Sequence, residues 1–153
     1  MHIILIGNIC TGKTTLANSL SKKNKFPLFL IDDYRFRFNP DSTFEGEFNA
    51  WTNLKKDISN QENSIFESSG TSMWFNVIIS RLKGKKIIIK LDSSRSNISE
   101  RIKSRVQVPL PYDTSDINKS LNHIDSKLKQ IEYDFMFDTS KVSVGEIINI
   151  LNS

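Results

Sequence analysis

Gly7-Asn8-Ile9-Cys10-Thr11-Gly12-Lys13-Thr14, set directly behind the apolar run Ile3-Ile4-Leu5-Ile6, decides how the rest of the chain is read. The stretch fits G-x-x-x-x-G-K-[ST], a loop whose backbone wraps a polyphosphate. Gly7 and Gly12 allow a turn with unusual dihedrals and a close approach to the phosphates. The N–H groups of the loop, Asn8, Ile9, Cys10 and Thr11 included, then converge on phosphate oxygens, and the following helix adds its positive end. In this arrangement Lys13 reaches the β- and γ-phosphates, the Thr14 hydroxyl is a ligand of Mg²⁺, and Thr15 lies in the same first turn. A chance glycine-rich turn would not explain both flanks, a buried-strand pattern before and the helical pattern Thr15-Leu16-Ala17-Asn18-Ser19-Leu20 after. The motif implies a bound nucleoside triphosphate, with ATP and Mg²⁺ as the expected pair.

A chain of 153 residues is long enough to bury a core without staples, and its single cysteine excludes an internal disulfide. The first strand begins at once, which leaves no room for a signal peptide, and no apolar run approaches spanning length. A cytoplasmic protein without a membrane partner is the expectation. The net charge of +4 is local in origin. Between Arg81 and Arg105 stand nine basic residues (Arg81, Lys83, Lys85, Lys86, Lys90, Arg95, Arg101, Lys103, Arg105) against Asp92 and Glu100. Such a field suits a site that handles polyphosphate, or a nucleic-acid partner, and a solvated surface explains the Lys83–Lys86 cluster equally well.

Five short, continuous apolar runs read as strands of a parallel sheet covered on both faces: Ile3 to Ile6, Leu28 to Ile31, Ser64 to Glu67, Ile87 to Leu91 and Phe135 to Phe137. Helical patterns alternate with them over Thr14–Lys23, part of Gly46–Ser59, Ser72–Leu82, Asn97–Ser104, Ile117–Ile131 and Val144–Leu151. Alternation of this kind predicts an α/β domain with right-handed crossovers. Phe36 to Phe44, with Pro40, reads as a loop over the site. Val106 to Asp113, with two prolines, reads as a lid hinge. Ligands of open α/β sheets sit at the carboxyl ends of the strands, so the residues just after each run matter most.

The second run ends in Ile31-Asp32-Asp33-Tyr34-Arg35. Asp32 at that edge is either a base, taking the proton of an acceptor hydroxyl, or a cap of the next turn. Arg35, one turn on, has the planar fork that clamps an acceptor phosphate. Glu67 ends the third run. It is read as facing Mg²⁺ or the acceptor, with Ser68 to Thr71 as an acceptor-side loop. Other conspicuous residues are read as structure. Cys10 offers its backbone, and His2 and His123 stand too far apart for zinc. Trp74, Phe75 and Ile78 have core spacing. Trp51, Phe44 and Phe48 have the faces to stack on a base, but packing under the Phe36–Phe48 segment is their expected use. Tyr112 beside the prolines is a weak candidate for adenine.

The loop, Asp32-Asp33-Tyr34-Arg35, and Leu91-Asp92 with Glu100-Arg101-Ile102-Lys103-Ser104-Arg105 together resemble the P-loop kinases of the nucleotide-kinase type. Among these the pattern is similar to the kinase domain of the phage polynucleotide kinases, which transfer the ATP γ-phosphate to a nucleic acid 5′-hydroxyl. The resemblance implies that Asp32 is the general base and Arg35 the ligand of the acceptor's 3′-phosphate. It puts the lid arginine on Arg105, with Arg101 as the competing choice. Tyr133-Asp134-Phe135-Met136-Phe137-Asp138-Thr139-Ser140 and the helix behind it are similar to the last strand and helix of many small kinases. The implied architecture is a three-layer P-loop NTPase fold over residues 1–153 as one domain. It has a five-stranded parallel sheet flanked by helices and a short helical lid at about residues 101–116.

The pattern also departs from its relatives. Asp-x-x-Arg at this place occurs in kinases of small metabolites too. The Gly-Asn-Ile start is similar to deoxynucleoside kinases, but Glu67-Ser68-Ser69-Gly70 lacks their arginine, and no phosphatase domain follows. The expected activity is therefore transfer of the ATP γ-phosphate to a hydroxyl-bearing acceptor, preferably a 5′-hydroxyl polynucleotide end or a nucleoside or nucleotide. The rivals are a kinase of a non-nucleotide metabolite or antibiotic, and an ATP-binding or ATPase module with no acceptor. A guanine-specifying Asn-Lys-x-Asp is absent from the sequence, which removes the switch GTPases.

Overall fold

All five apolar runs become strands: β1 His2–Gly7, β2 Leu28–Leu30, β3 Ser64–Glu67, β4 Lys86–Asp92 and β5 Phe135–Asp138. They form one parallel sheet in the order β2-β3-β1-β4-β5. The structure, a computed structural model, describes residues 1–105 and 116–151. The helices are α1 Lys13–Asn24, α2 Ile31–Phe38, α3 Phe44–Ser59, α4 Met73–Arg81, α5 Arg95–Ser104, α6 Ile117–Leu128 and α7 Val144–Ile150. Among the described residues no helix is long and apolar enough to cross a membrane.

Alternation along each strand explains why the runs are continuous. Ile4, Ile6 and Phe66 face one layer, with Trp51, Leu54 and Ile58 of α3 and Phe75 and Ile78 of α4. Ile3, Leu5, Ile65, Ile89 and Leu91 face the other, with Leu16, Ala17 and Leu20 of α1 and Ile147 of α7. With both faces buried, no position on β1 can be polar and exposed, and all six of its residues are buried. A third, smaller cluster joins Ile9 of the glycine-rich loop to Ile98 and Leu121, and so packs α5 and α6 against that loop.

Helix ends follow local chemistry. Thr43, Ser72, Ser94 and Asp116 each accept a backbone N–H at the start of their helix, and Ser143 with Glu146 forms a full capping box on α7. Neither α1 nor α2 has a side-chain cap, but α2 carries Asp32 and Asp33 in its first turn and α1 has no acidic residue there. Its leading N–H groups are left for another partner.

The expected strand through Ile31 and loop from Phe36 both give way to α2. The segment begins with Asp32 and Asp33 and ends with Arg35 and Arg37, so its charges complement the helix dipole at both ends. Ile31, 2 % exposed, turns inward to anchor it. Pro40 stands just past the C-cap Asn39, where a helix cannot continue. The lid expected at 101–116 is described only at its ends, the last turn of α5 and the cap Asp116. Residues 106–115, with the whole of the expected hinge and Tyr112, lie outside the described residues.

Candidate functional site

Between β1 and α1 the backbone closes a cup. Gly7 has φ 151°, and a Cβ there would collide with the Leu91 carbonyl oxygen of the neighbouring strand. Gly12 has φ 90° with open space around it, so it is needed for its backbone conformation alone. Asn8 is buried and ties the loop to α6: its amide donates to the Leu121 carbonyl at 2.8 Å and to Asp125 Oδ1 at 2.6 Å. Its own carbonyl accepts from Thr11 Oγ1 at 2.9 Å and from Lys13 Nζ at 2.7 Å. In this state the lysine folds back over the rim of its own loop.

A cleft of about 420 Å³ opens over this cup. It is lined by Cys10, Gly12, Lys13, Thr14 and Thr15 from the loop side, Asp32 at the start of α2, Glu67 at the end of β3, Arg101 of α5 and its C-cap Arg105, and Thr139 with Val142, Ser143 and Val144 at the start of α7. Parallel strands deliver all of these to one edge. Of the residues expected to hold phosphate, Ile9, Cys10, Gly12, Lys13, Thr14 and Thr15 line the cleft, whereas Gly7, Asn8 and Thr11 shape the loop from behind.

Lys13 and Glu67 face each other at 3.8 Å, both nearly buried. Burial pushes the Lys13 ammonium below its ordinary value against the pull of Glu67 and Asp32. Burial likewise pushes the Glu67 carboxyl up against the pull of Lys13. A polyphosphate beside Lys13 would reverse the first shift, because its anionic oxygens stabilise the ammonium. Thr14 Oγ1 donates to Glu67 Oε2 at 3.3 Å. A hydroxyl and a carboxylate side by side, with water and phosphate oxygens to complete the shell, are hard donors that fit Mg²⁺. Among the described residues there is no cluster of three or more His, Cys, Asp or Glu to suit a metal bound by protein alone.

Asp32 stands across the cleft from the loop. The helix N-cap is Leu30, without a side-chain hydrogen bond, so the capping alternative is not how Asp32 is used. Its Oδ1 accepts from Arg35 Nη1 at 3.1 Å. The expectation that Arg35 faces the cleft with its whole fork is not met. Arg35 lies outside the lining, and its Nε and Nη2 are bound to Glu47, the latter at 2.6 Å. Glu47 also accepts from Trp51 Nε1 at 2.7 Å and Asn39 Nδ2 at 3.3 Å. Burial alone would raise this carboxyl, but the donors of Arg35, Trp51 and Asn39 outweigh it and hold Glu47 below its ordinary value. Glu47 is the functional candidate that sequence reasoning missed. Its signal, an acid in the first turn of a helix, is common to many solvated helices.

Arg101 and Arg105 both reach the cleft, in different ways. Arg101 Nη1 donates to the Cys10 carbonyl and to Thr139 Oγ1, each at 3.0 Å, and Nη2 to the Thr139 carbonyl at 3.1 Å. Thr139 Oγ1 in turn donates to the Thr11 carbonyl at 2.9 Å. This pair staples the phosphate loop to the segment before α7. Arg105 touches the loop only through Cys10 Sγ, at 3.8 Å. The Ser68–Thr71 segment, expected on the acceptor side, does not line the cleft, and the hydroxyls of Ser69 and Thr71 bond to one another at 2.9 Å.

No family model matches the chain, and no curated protein matches its sequence. Solved structures do match in shape. Shikimate kinase from Bacteroides thetaiotaomicron superposes with a TM-score of 0.73 at 16% identity, over 100% of this chain and 99% of that one. A gluconokinase from Sinorhizobium meliloti 1021 gives 0.65 at 14% identity, over 97% and 87%. The YorR protein of Bacillus subtilis, described in complex with phosphorylated GDP, gives 0.66 at 22% identity, over 99% and 94%. The chain shares their P-loop NTPase-like fold, a five-stranded parallel sheet flanked by helices. At these identities the likeness carries architecture only, so the chemistry rests on the cleft.

Proposed function

We propose that this chain is an ATP-dependent kinase that transfers the γ-phosphate to an acceptor hydroxyl, and that the preferred acceptor is a 5′-hydroxyl polynucleotide end or a nucleoside-type molecule. The observation that carries the reading is one cleft lined by Lys13, Thr14 and Glu67 and also by the Asp32 carboxylate, which stands near enough to act on the charges of Lys13 and Glu67. A plain ATPase needs no second carboxylate across the rim.

In the proposed reaction the loop amides and Lys13 hold the phosphates, and the segment Thr139–Val144 with Arg101 walls the far end where the nucleoside lies. Asp32 accepts the proton of the acceptor hydroxyl. That oxygen bonds to the γ-phosphorus, the bond to the β–γ bridging oxygen breaks, and ADP leaves. Thr14, with Glu67 beside it, would hold Mg²⁺, which would supply neutralising charge to the phosphates. Arg105, loosely held, is assigned to the charge of the moving phosphoryl, and Arg101 to bracing the loop. Glu47 fixes Nε and Nη2 of Arg35 while Nη1 pairs with Asp32, and an anionic group of the acceptor would take over that Nη1 contact.

What favours a nucleic acid acceptor is the resemblance through Asp32-Asp33-Tyr34-Arg35 together with the basic balance of +4. The second reading, a small anionic hydroxyl compound, is favoured by the shikimate kinase and gluconokinase among the neighbours of the fold. Labelled ATP offered with 5′-hydroxyl oligonucleotides, nucleosides and hydroxy acids separates them. Label on the oligonucleotide is the expected result. Label only on a small compound replaces the acceptor, and phosphate release with no labelled acceptor removes the kinase.

A further inference from the structure

Beside Arg35 the rim carries apolar side chains that the fold leaves uncovered. Phe36 is 86% exposed, Phe44 78%, Met73 72% and Phe48 44%. Packing was the expected use of Phe44 and Phe48, and only Trp51 of that group, at 2%, is core. One exposed phenylalanine needs no explanation, but several at the mouth of a cleft do. Chain direction gathers them. The helices α2 and α4 leave the carboxyl ends of β2 and β3, and α3 starts at the same edge before running back, so Phe44 and Phe48 begin there. Contacts agree: the Phe48 ring meets Trp74 edge to face at 5.3 Å. Phe48 directly follows Glu47, which holds Arg35 against Asp32.

Further from the cleft each helix changes character. Met73, Val77 and Arg81 share one stripe of α4, all exposed, and Phe44, Phe48 and Lys55 recur on one side of α3. Among the described residues neither Arg81 nor Lys55 makes an ion pair within 4.0 Å. Phe48 is thus linked to Asp32 through Glu47 and Arg35, and Lys55 and Arg81 stand about two helical turns beyond Phe48 and Met73.

We propose that this α3–α4 face is the track of the acceptor strand. The bases next to the 5′-hydroxyl stack on Phe48, Trp74 and Met73, with Phe44 at the edge, and the following phosphates pass Arg81 and Lys55. The inference rests on the polynucleotide reading of the acceptor. Stacking platforms followed by cations are what a single strand of any sequence requires. A small metabolite held by Asp32 and Arg35 would leave the platform idle. A second copy of this chain would set the same unpaired cations against a surface of like net charge.

The test compares a 5′-hydroxyl oligothymidylate of eight nucleotides with an abasic oligomer of the same length, using the full chain and the variants Phe48→Ala and Phe44→Ser. Thermal melts check folding, and Phe44, the more exposed, serves if Phe48→Ala does not fold. The abasic oligomer and each variant should raise the oligonucleotide KM roughly five- to a hundredfold and leave the ATP KM unchanged. Binding of the base-bearing strand should also quench tryptophan fluorescence. Equal KM values for base-bearing and abasic strands, both phosphorylated, would overturn the track and leave the acceptor reading standing. No phosphorylation of any oligonucleotide would overturn both. A dimer in sedimentation that Phe44→Ser dissociates, with KM unchanged, would give the face to self-association and overturn the track.

Discussion

On the nucleotide side of the cleft, Gly7 to Thr14 are consecutive in the chain, and what they offer is mostly backbone. On the side proposed for the acceptor, Asp32, Arg35, Asn39, Glu47 and Trp51 come from two helices and the turn between them, and what they offer is side chain. The first construction is fixed by φ values and by space: Gly7 has no room for a Cβ. It serves any nucleoside triphosphate, because phosphate is the same in all of them. The second depends on a carboxylate, Glu47, gathering three donors so that Arg35 is held against Asp32, which lines the cleft. Such a network is re-tuned by single substitutions, and this is where kinases of one fold diverge in what they phosphorylate.

The largest break is expected on the nucleotide side. Lys13→Ala should lower transfer by several orders of magnitude, read as single-turnover label transfer. The fold should survive, read as a cooperative thermal melt. Turnover like that of the native chain would remove Lys13 from the mechanism. Next comes Asp32→Asn, which should cost roughly 10²–10⁴-fold in kcat with ATP binding retained. Undiminished kcat would show that the proton goes elsewhere. Arg35→Ala sharpens the contrast, since it should chiefly raise the acceptor KM. A change confined to the ATP KM would mean that the two sides are not separate.

The same contrast explains what could be read before any coordinates. All five strands were legible because burial on both faces forces continuous apolar runs, and the phosphate loop because its residues are adjacent in sequence. Asp32 was legible as a strand-end carboxylate, but base and cap could not be told apart, since that depends on where α2 begins. The start of α2 at Ile31 was hidden by β2 itself: Leu28 to Ile31 is one apolar run, and nothing in it marks the change from extended to helical backbone. Glu47 lies 12 residues beyond Arg35, a separation at which no local period links two charges. Phe44 and Phe48 were assigned to packing because apolar spacing on a helix says which residues share a face, and not whether that face is covered.

Glu47→Gln tests whether the acceptor side is held by charge, and its effect is the smallest and most specific. At neutral pH the substitution should cost about 1–3 kcal/mol, the range for hydrogen bonds to a charged group, and should raise the acceptor KM without moving that for ATP. The pH dependence has a fixed sign. Glu47 is held below its ordinary carboxylate value of 4.5 in the folded chain, so it favours folding fully above that value. The advantage is lost as the pH falls through the lower, folded-state value. Urea melts of native chain and variant should therefore differ fully from about pH 5 to 8 and converge in acid, once Glu47 itself is protonated. A stability gap that stays constant down to pH 3 would mean that shape rather than charge holds Arg35 against Asp32. The placing of that guanidinium would then not depend on the pairing, and Gln would serve the acceptor as well as Glu.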